Sequence, residues 1–115
     1  MITIYHNPRW GKSRESVKIL NDNEYEYKII EYLKSPLSIQ DLMNLGRKLN
    51  LRPKDFIRSS EKIFKELELI QHIENDDYLY DAMSENPILI ERPIVISKNK
   101  AIIARPPEKI LEFIS

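Results

Sequence analysis

The spacing of apolar residues in this chain changes between strand and helix period five times, and that limits its possible folds more than any other feature. Residues 1–5 form a short β-branched and aromatic run ended by Asn7-Pro8, which predicts a buried strand entering a turn. From residue 11 to about 23, Val17 and Leu20, with Ile19 flanking, sit at helical spacing, and Asn21-Asp22-Asn23 close the segment. Residues 25–32 alternate Tyr, Tyr, Ile against Glu, Lys, the signature of a second strand. A strand, helix and strand in that order form a βαβ unit, whose crossover is normally right-handed and whose strands are parallel.

The middle of the chain is helical. Ser38 with Asp41 makes a capping box ahead of Leu42, Leu45 and Leu49, and Pro53 can open a shorter turn. Ser59 or Ser60 is the expected cap of a helix carrying Ile63, Phe64 and Leu67. Asn75 caps another that carries Leu79, Ala82 and Met83 before Pro87 stops it. Beyond Pro87 the pattern returns to strands, Ile94-Val95-Ile96 and Ala101-Ile102-Ile103, with Lys98-Asn99 as a two-residue hairpin loop. Pro106-Pro107 are expected to start a last helix that buries Ile110, Leu111 and Ile114. The order β, α, β, helices, β, β, α is an α/β thioredoxin-like topology on a mixed four-stranded sheet, with a helical insert at about 36–86. At 115 residues, 42% of them hydrophobic, the chain has material for one domain, taken as 1–115.

Charge and composition exclude several functions. Eighteen basic residues balance eighteen acidic ones, so no global field draws the chain to nucleic acid or to an anionic membrane. The first residues have no basic stretch followed by a long apolar one, and no apolar run is long enough to span a bilayer, so a cytoplasmic protein is expected. The chain has no cysteine, which removes disulfides, thiolate metal sites and thiol redox chemistry. His6 and His72 lie far apart without partners at metal-ligand spacing, so no metal and no bound cofactor are expected.

Local charge is more informative. With Lys98-Asn99 as the loop, Ser97 faces Lys100 and the count outward sets Arg92 opposite Arg105. Like charges across a strand pair repel, so the two arginines either point outward to solvent, Glu91 or Glu108, or share a bound anion. The turn after the first strand leads into a helix starting near Gly11, whose first N–H groups lack intrahelical acceptors and to which Ser13 adds a hydroxyl. Gly11-Lys12-Ser13 is not a nucleotide-binding phosphate loop, because His6 stands where that motif requires glycine, and Gly46 is the chain's only other glycine.

The segment His6-Asn7-Pro8-Arg9-Trp10-Gly11-Lys12-Ser13-Arg14 resembles the His-Asn-Pro-x-Cys-x-x-Ser-Arg signature of the ArsC family of glutaredoxin-dependent arsenate reductases. Residues 86–95 resemble that family's Pro-Ile-Leu-x-x-Arg-Pro-Ile segment, and Arg105-Pro106 its late Arg-Pro. The resemblance implies that Arg58, Arg92 and Arg105 are the three arsenate-binding arginines, that Pro93 is the cis-proline of thioredoxin-like sites, and that Trp10 occupies the position of the nucleophilic cysteine. In such reductases a thiolate attacks arsenate, glutathione attacks the adduct and glutaredoxin completes the reduction. His6, the helix start at Gly11 and the arginines would favour the thiolate. Without cysteine the implied function is binding of a small oxyanion such as arsenate, phosphate or sulfate, with glutaredoxin or another protein as possible partner. The alternative is a regulator like the related Spx proteins, which act on RNA polymerase.

Three of these residues also have plainer readings. Trp10 is either an aromatic covering core at a helix start or a cation-π partner of nearby arginines, worth about 0.5–1 kcal/mol at an exposed site. His6 suits a hydrogen-bonded structural role, and Arg58 suits a solvated helix end.

Overall fold

β1 (Ile2–Tyr5) leads into α1 (Gly11–Asp22) and β2 (Tyr27–Ile30). Then come α2 (Ile39–Leu49), α3 (Pro53–Phe56), α4 (Lys62–Glu66) and α5 (Asp76–Glu85), with 3-10 turns at Leu69–His72 and Pro87–Leu89. β3 (Ile94–Ser97), β4 (Lys100–Ile103) and α6 (Lys109–Ile114) complete the chain. This computed structural model describes every residue except Met1, Asn7, Pro8, Trp10, Ser35 and Ser115. The turn residues Asn7 and Pro8 and the position of Trp10 therefore lie outside the described residues. The chain divides into two units, residues 1–35 with 92–115, and residues 36–91.

The first unit is built on a sheet of order β2-β1-β3-β4. β1 runs parallel to β2 and antiparallel to β3, and β3 and β4 form an antiparallel hairpin. Ser97 pairs with Lys100 and Ile94 with Ile103, the register set by the Lys98-Asn99 loop, where Lys98 takes a positive φ of 57°. Ile2, Ile4, Leu20, Val95, Ala104 and Ile110 form its buried core. Val17, Ile19, Tyr27, Phe113 and Ile114 pack around them. Burying a side chain such as Ile4 or Leu20 contributes about 1.5–3 kcal/mol.

Three expectations for this unit are corrected. β2 is shorter than residues 25–32, because its outer side has no strand to prolong the ladder. α6 begins at Lys109, after a tight turn in which Lys109 and Ile110 donate to the Pro106 and Pro107 carbonyls, both at 3.1 Å. Leu111 is 41% exposed, since the helical face that packs runs through Ile110, Phe113 and Ile114.

The second unit is helical. Ser38 and Asp41 form the expected capping box of α2, and the Asn75 side chain accepts from Tyr78 N–H at the start of α5. Gly46 is needed for close approach: a Cβ there would lie 2.5 Å from Tyr80 Oη and 3.2 Å from the Leu51 carbonyl oxygen. Neither Ser59 nor Ser60 caps α4; its N-cap is Glu61. The reason is a local turn, since Arg58 takes the Glu61 carboxylate (Nε to Oε1, 3.2 Å) and Glu61 N–H donates to the Arg58 carbonyl.

Candidate functional site

The sheet pairing of the first unit collects the candidate residues at one end. Tyr5 pairs with both Ile30 and Ile94, and Ile94 pairs with Ile103. His6, Glu31, Arg92 and Arg105 therefore all leave the sheet at its β1 carboxyl end, the end from which the chain continues into α1. Ligands of α/β sheets bind characteristically at the carboxyl ends of strands.

His6 is buried, and its backbone N–H donates to the Ile30 carbonyl at 2.9 Å. Its Nδ1 is buried with no hydrogen-bond partner among the described residues. Burial holds the imidazole below its ordinary pKa of 6.5; Glu31 pulls upward and Arg14 adds a smaller downward push. His6 is thus a neutral imidazole at neutral pH. Ser13, in the first turn of α1, is fully buried, whereas Gly11 is exposed. That turn carries Lys12 and Arg14 and no acidic residue.

The hairpin register continues one step past the strands, with Ala104 N–H donating to the Pro93 carbonyl at 2.9 Å. The next residues outward are Arg92 and Arg105, as the register requires. They do not share an environment: Arg92 is 4% exposed and Arg105 lies on the surface. The two opposite positions thus hold one buried and one surface arginine. The cause is a tight turn, because Arg105 N–H donates back to the Ile103 carbonyl (2.9 Å) and lifts Arg105 out of the ladder. The Arg92–Pro93 and Arg105–Pro106 peptide bonds are both cis.

Arg58 belongs to the second unit and is not a solvated helix end. Its side chain is 10% exposed, and its guanidinium donates to Glu61 Oε1 (3.2 Å) and to Glu91 Oε1 (2.9 Å). Its N–H donates to the Leu89 carbonyl at 2.7 Å, beside an antiparallel bridge between Ile57 and Ile90. Glu91 is thus drawn to Arg58. Sequence reading missed Glu61 and Glu91 as partners of Arg58, and Glu31 as a neighbour of His6. Glu31 was within reach of it, because parallel pairing of the first two strands places the residue after Ile30 beside the residue after Tyr5. Among the described residues no cluster of His, Asp or Glu is suited to a metal ion, and no helix is long and apolar enough to cross a membrane.

A βαβ unit followed by an antiparallel β-hairpin and a closing helix defines a thioredoxin-like α/β protein. Within that class the chain belongs to the ArsC family, whose sequence model matches residues 5–113. It is 40% identical to the uncharacterized protein YfgD of Escherichia coli (strain K12), over 98% of this chain and 96% of that protein. It is 37% identical to an arsenate reductase of Haemophilus influenzae, covering 98% of both chains. The solved structure of an arsenate reductase from Vibrio cholerae matches with a TM-score of 0.92 at 40% identity, over 96% of this chain and 95% of that one.

Proposed function

We propose that this chain is an oxyanion-binding member of the ArsC family that does not itself carry out the thiol chemistry of a reductase. The observation that carries this is the gathering of buried Arg92, Arg105, His6 and the start of α1 at one end of one sheet. Lys12 and Arg14 in the first turn of α1 oppose the helix dipole, at about 0.3–1 kcal/mol each. A tetrahedral anion at that turn reverses the sign, because it meets the N–H groups and the cations together. Arsenate, phosphate and sulfate share the shape and charge. Ser13 and the neutral His6 can each add one hydrogen bond. Arg58, which matches the family's third arginine, is held within its own unit by two carboxylates that temper its charge.

Reduction is a separate matter. Arsenate reduction by the family's route needs a sulfur-arsenic bond on the enzyme, and this chain contains no cysteine. Trp10, at the position matching the nucleophile, cannot form that bond, and glutathione and glutaredoxin then have no adduct to attack. The family's arsenate chemistry thus reduces, in this chain, to recognition of the anion.

Thermal unfolding in sulfate, phosphate or arsenate tests the binding. A ligand at a hundred times its Kd stabilises the native state by about 2.7 kcal/mol, a melting shift of several degrees. Sodium chloride at matched ionic strength should not reproduce the shift, and Arg92→Ala or Arg105→Ala should diminish it. A wild-type melting temperature indifferent to all three anions would contradict the proposal.

A further inference from the structure

We propose that the outer edge of β2 is a self-association surface, to which a second copy of this chain adds its own β2 antiparallel about a two-fold axis at Tyr27. β2 is an edge strand of the sheet. The Ile2 N–H donates to the Glu26 carbonyl (3.3 Å) and the His6 N–H to the Ile30 carbonyl (2.9 Å). In a parallel ladder alternate residues face the neighbouring strand, so Glu26, Lys28 and Ile30 turn their backbone groups toward β1. Tyr25, Tyr27 and Ile29 turn theirs outward, which is the arrangement that invites another strand.

Side-chain charge selects the partner. An added strand must match outward-facing residues to outward-facing residues, and for a second copy the registers that pair more than one of Tyr25, Tyr27 and Ile29 are centred on Glu26, Tyr27 or Lys28. The first sets Glu26 against Glu26 and the last sets Lys28 against Lys28, so both repel. Centred on Tyr27, Glu26 of each copy lies opposite Lys28 of the other, in two equivalent pairs. Both residues are exposed, so neither has to leave a buried position to pair. The same register places Tyr25, 36% exposed, opposite Ile29, 42% exposed, so the two largest apolar side chains left open along this strand cover each other across the two-fold axis.

The backbone fits that register. Tyr27 of each copy exchanges both of its hydrogen bonds with its counterpart, and the Ile29 N–H of each reaches the Tyr25 carbonyl of the other. The Tyr25 N–H is already given to the Leu20 carbonyl (3.0 Å), which ends the new ladder there. The Tyr27 hydroxyl donates to Asn21 Oδ1 (2.7 Å) and fixes its ring before association. Glu26 and Lys28 thus play two parts: they discourage generic strands from adding to this edge and they accept a copy of themselves. So short an interface belongs to the weak, transient class.

Sedimentation velocity of the full chain across a wide concentration range, to millimolar, is the test. The wild-type mass should rise from that of the 13.7 kDa monomer toward twice that value, less so in high salt. Glu26→Lys and Lys28→Glu should each weaken association by about tenfold, because each turns both attractive pairs into like-charge pairs. An equimolar mixture of the two variants should associate again, since each supplies what the other lacks, and the doubly reversed Glu26→Lys/Lys28→Glu chain should self-associate like the wild type. A wild type that stays monomeric at every concentration overturns the proposal. So does a mixture that associates no better than its components, whether or not the wild type forms dimers by another surface.

Discussion

The Arg58–Glu91 ion pair supports a quantitative prediction within the second unit. Glu91→Gln removes the charge from the carboxylate that accepts from Arg58 Nη1 at 2.9 Å, in a pair whose side chains are 10% and 20% exposed. Exposed pairs contribute about 0.2–1 kcal/mol, and breaking a fully buried one costs about 3–5. This pair lies between those limits, and Glu61 still holds Arg58 Nε at 3.2 Å after the change, so the expected loss is about 1–2 kcal/mol. For a chain of this size that lowers the melting temperature by roughly 3–10 °C. The isolating measurement is a double-mutant cycle in urea with Glu91→Gln, Arg58→Met and the pair of changes, from which a coupling energy of about 1 kcal/mol is expected. A coupling below about 0.3 kcal/mol, with intact fold in all three variants, would refute the idea that Arg58 and Glu91 hold each other.

Two further outcomes follow from single residues. Gly46→Ala would gain about 1 kcal/mol of helix propensity, yet its Cβ would meet Tyr80 Oη and the Leu51 carbonyl, so urea denaturation should show a net loss of about 1–2 kcal/mol; a more stable variant would contradict this. His6 has a folded pKa below its unfolded value of 6.5, so above 6.5 its contribution is constant, and as pH falls below 6.5 the unfolded chain takes up a proton that the native state resists. Wild-type stability should therefore fall through that window relative to His6→Gln, and parallel stability curves for the two proteins would exclude it.

What the sequence disclosed was local. Ser38 and Asp41 signal the start of α2 because a capping box is complete within four residues, and Lys98-Asn99 sets the β3–β4 register because a two-residue loop leaves no slack. What it concealed was set by distant contacts. Ser59 and Ser60 are good caps by type, but Arg58 recruits Glu61 and Glu91, the latter from more than thirty residues away, and the helix starts later. The hairpin count placed Arg92 and Arg105 at corresponding positions, yet could not foresee that a turn at Ala104 would expose one guanidinium while the other is buried. β-propensity extended the second strand to residues 25–32, but an edge strand keeps only the length its one neighbour pairs with. The family resemblance singled out Arg58, Arg92 and Arg105 by type and order, a signal that periodicity and propensity do not carry.

The central claim is that the family's anion-recognising groups persist here without its reductive chemistry. Arsenate reduction coupled to glutathione and glutaredoxin, run side by side on the wild type and on Trp10→Cys, tests it most directly. The account predicts no turnover by the wild type and measurable turnover by the cysteine variant, because the helix start, His6, Ser13 and the arginines remain to stabilise a thiolate and its bound oxyanion. Turnover by the unmodified chain, or a folded Trp10→Cys protein that neither binds nor reduces arsenate, would contradict it.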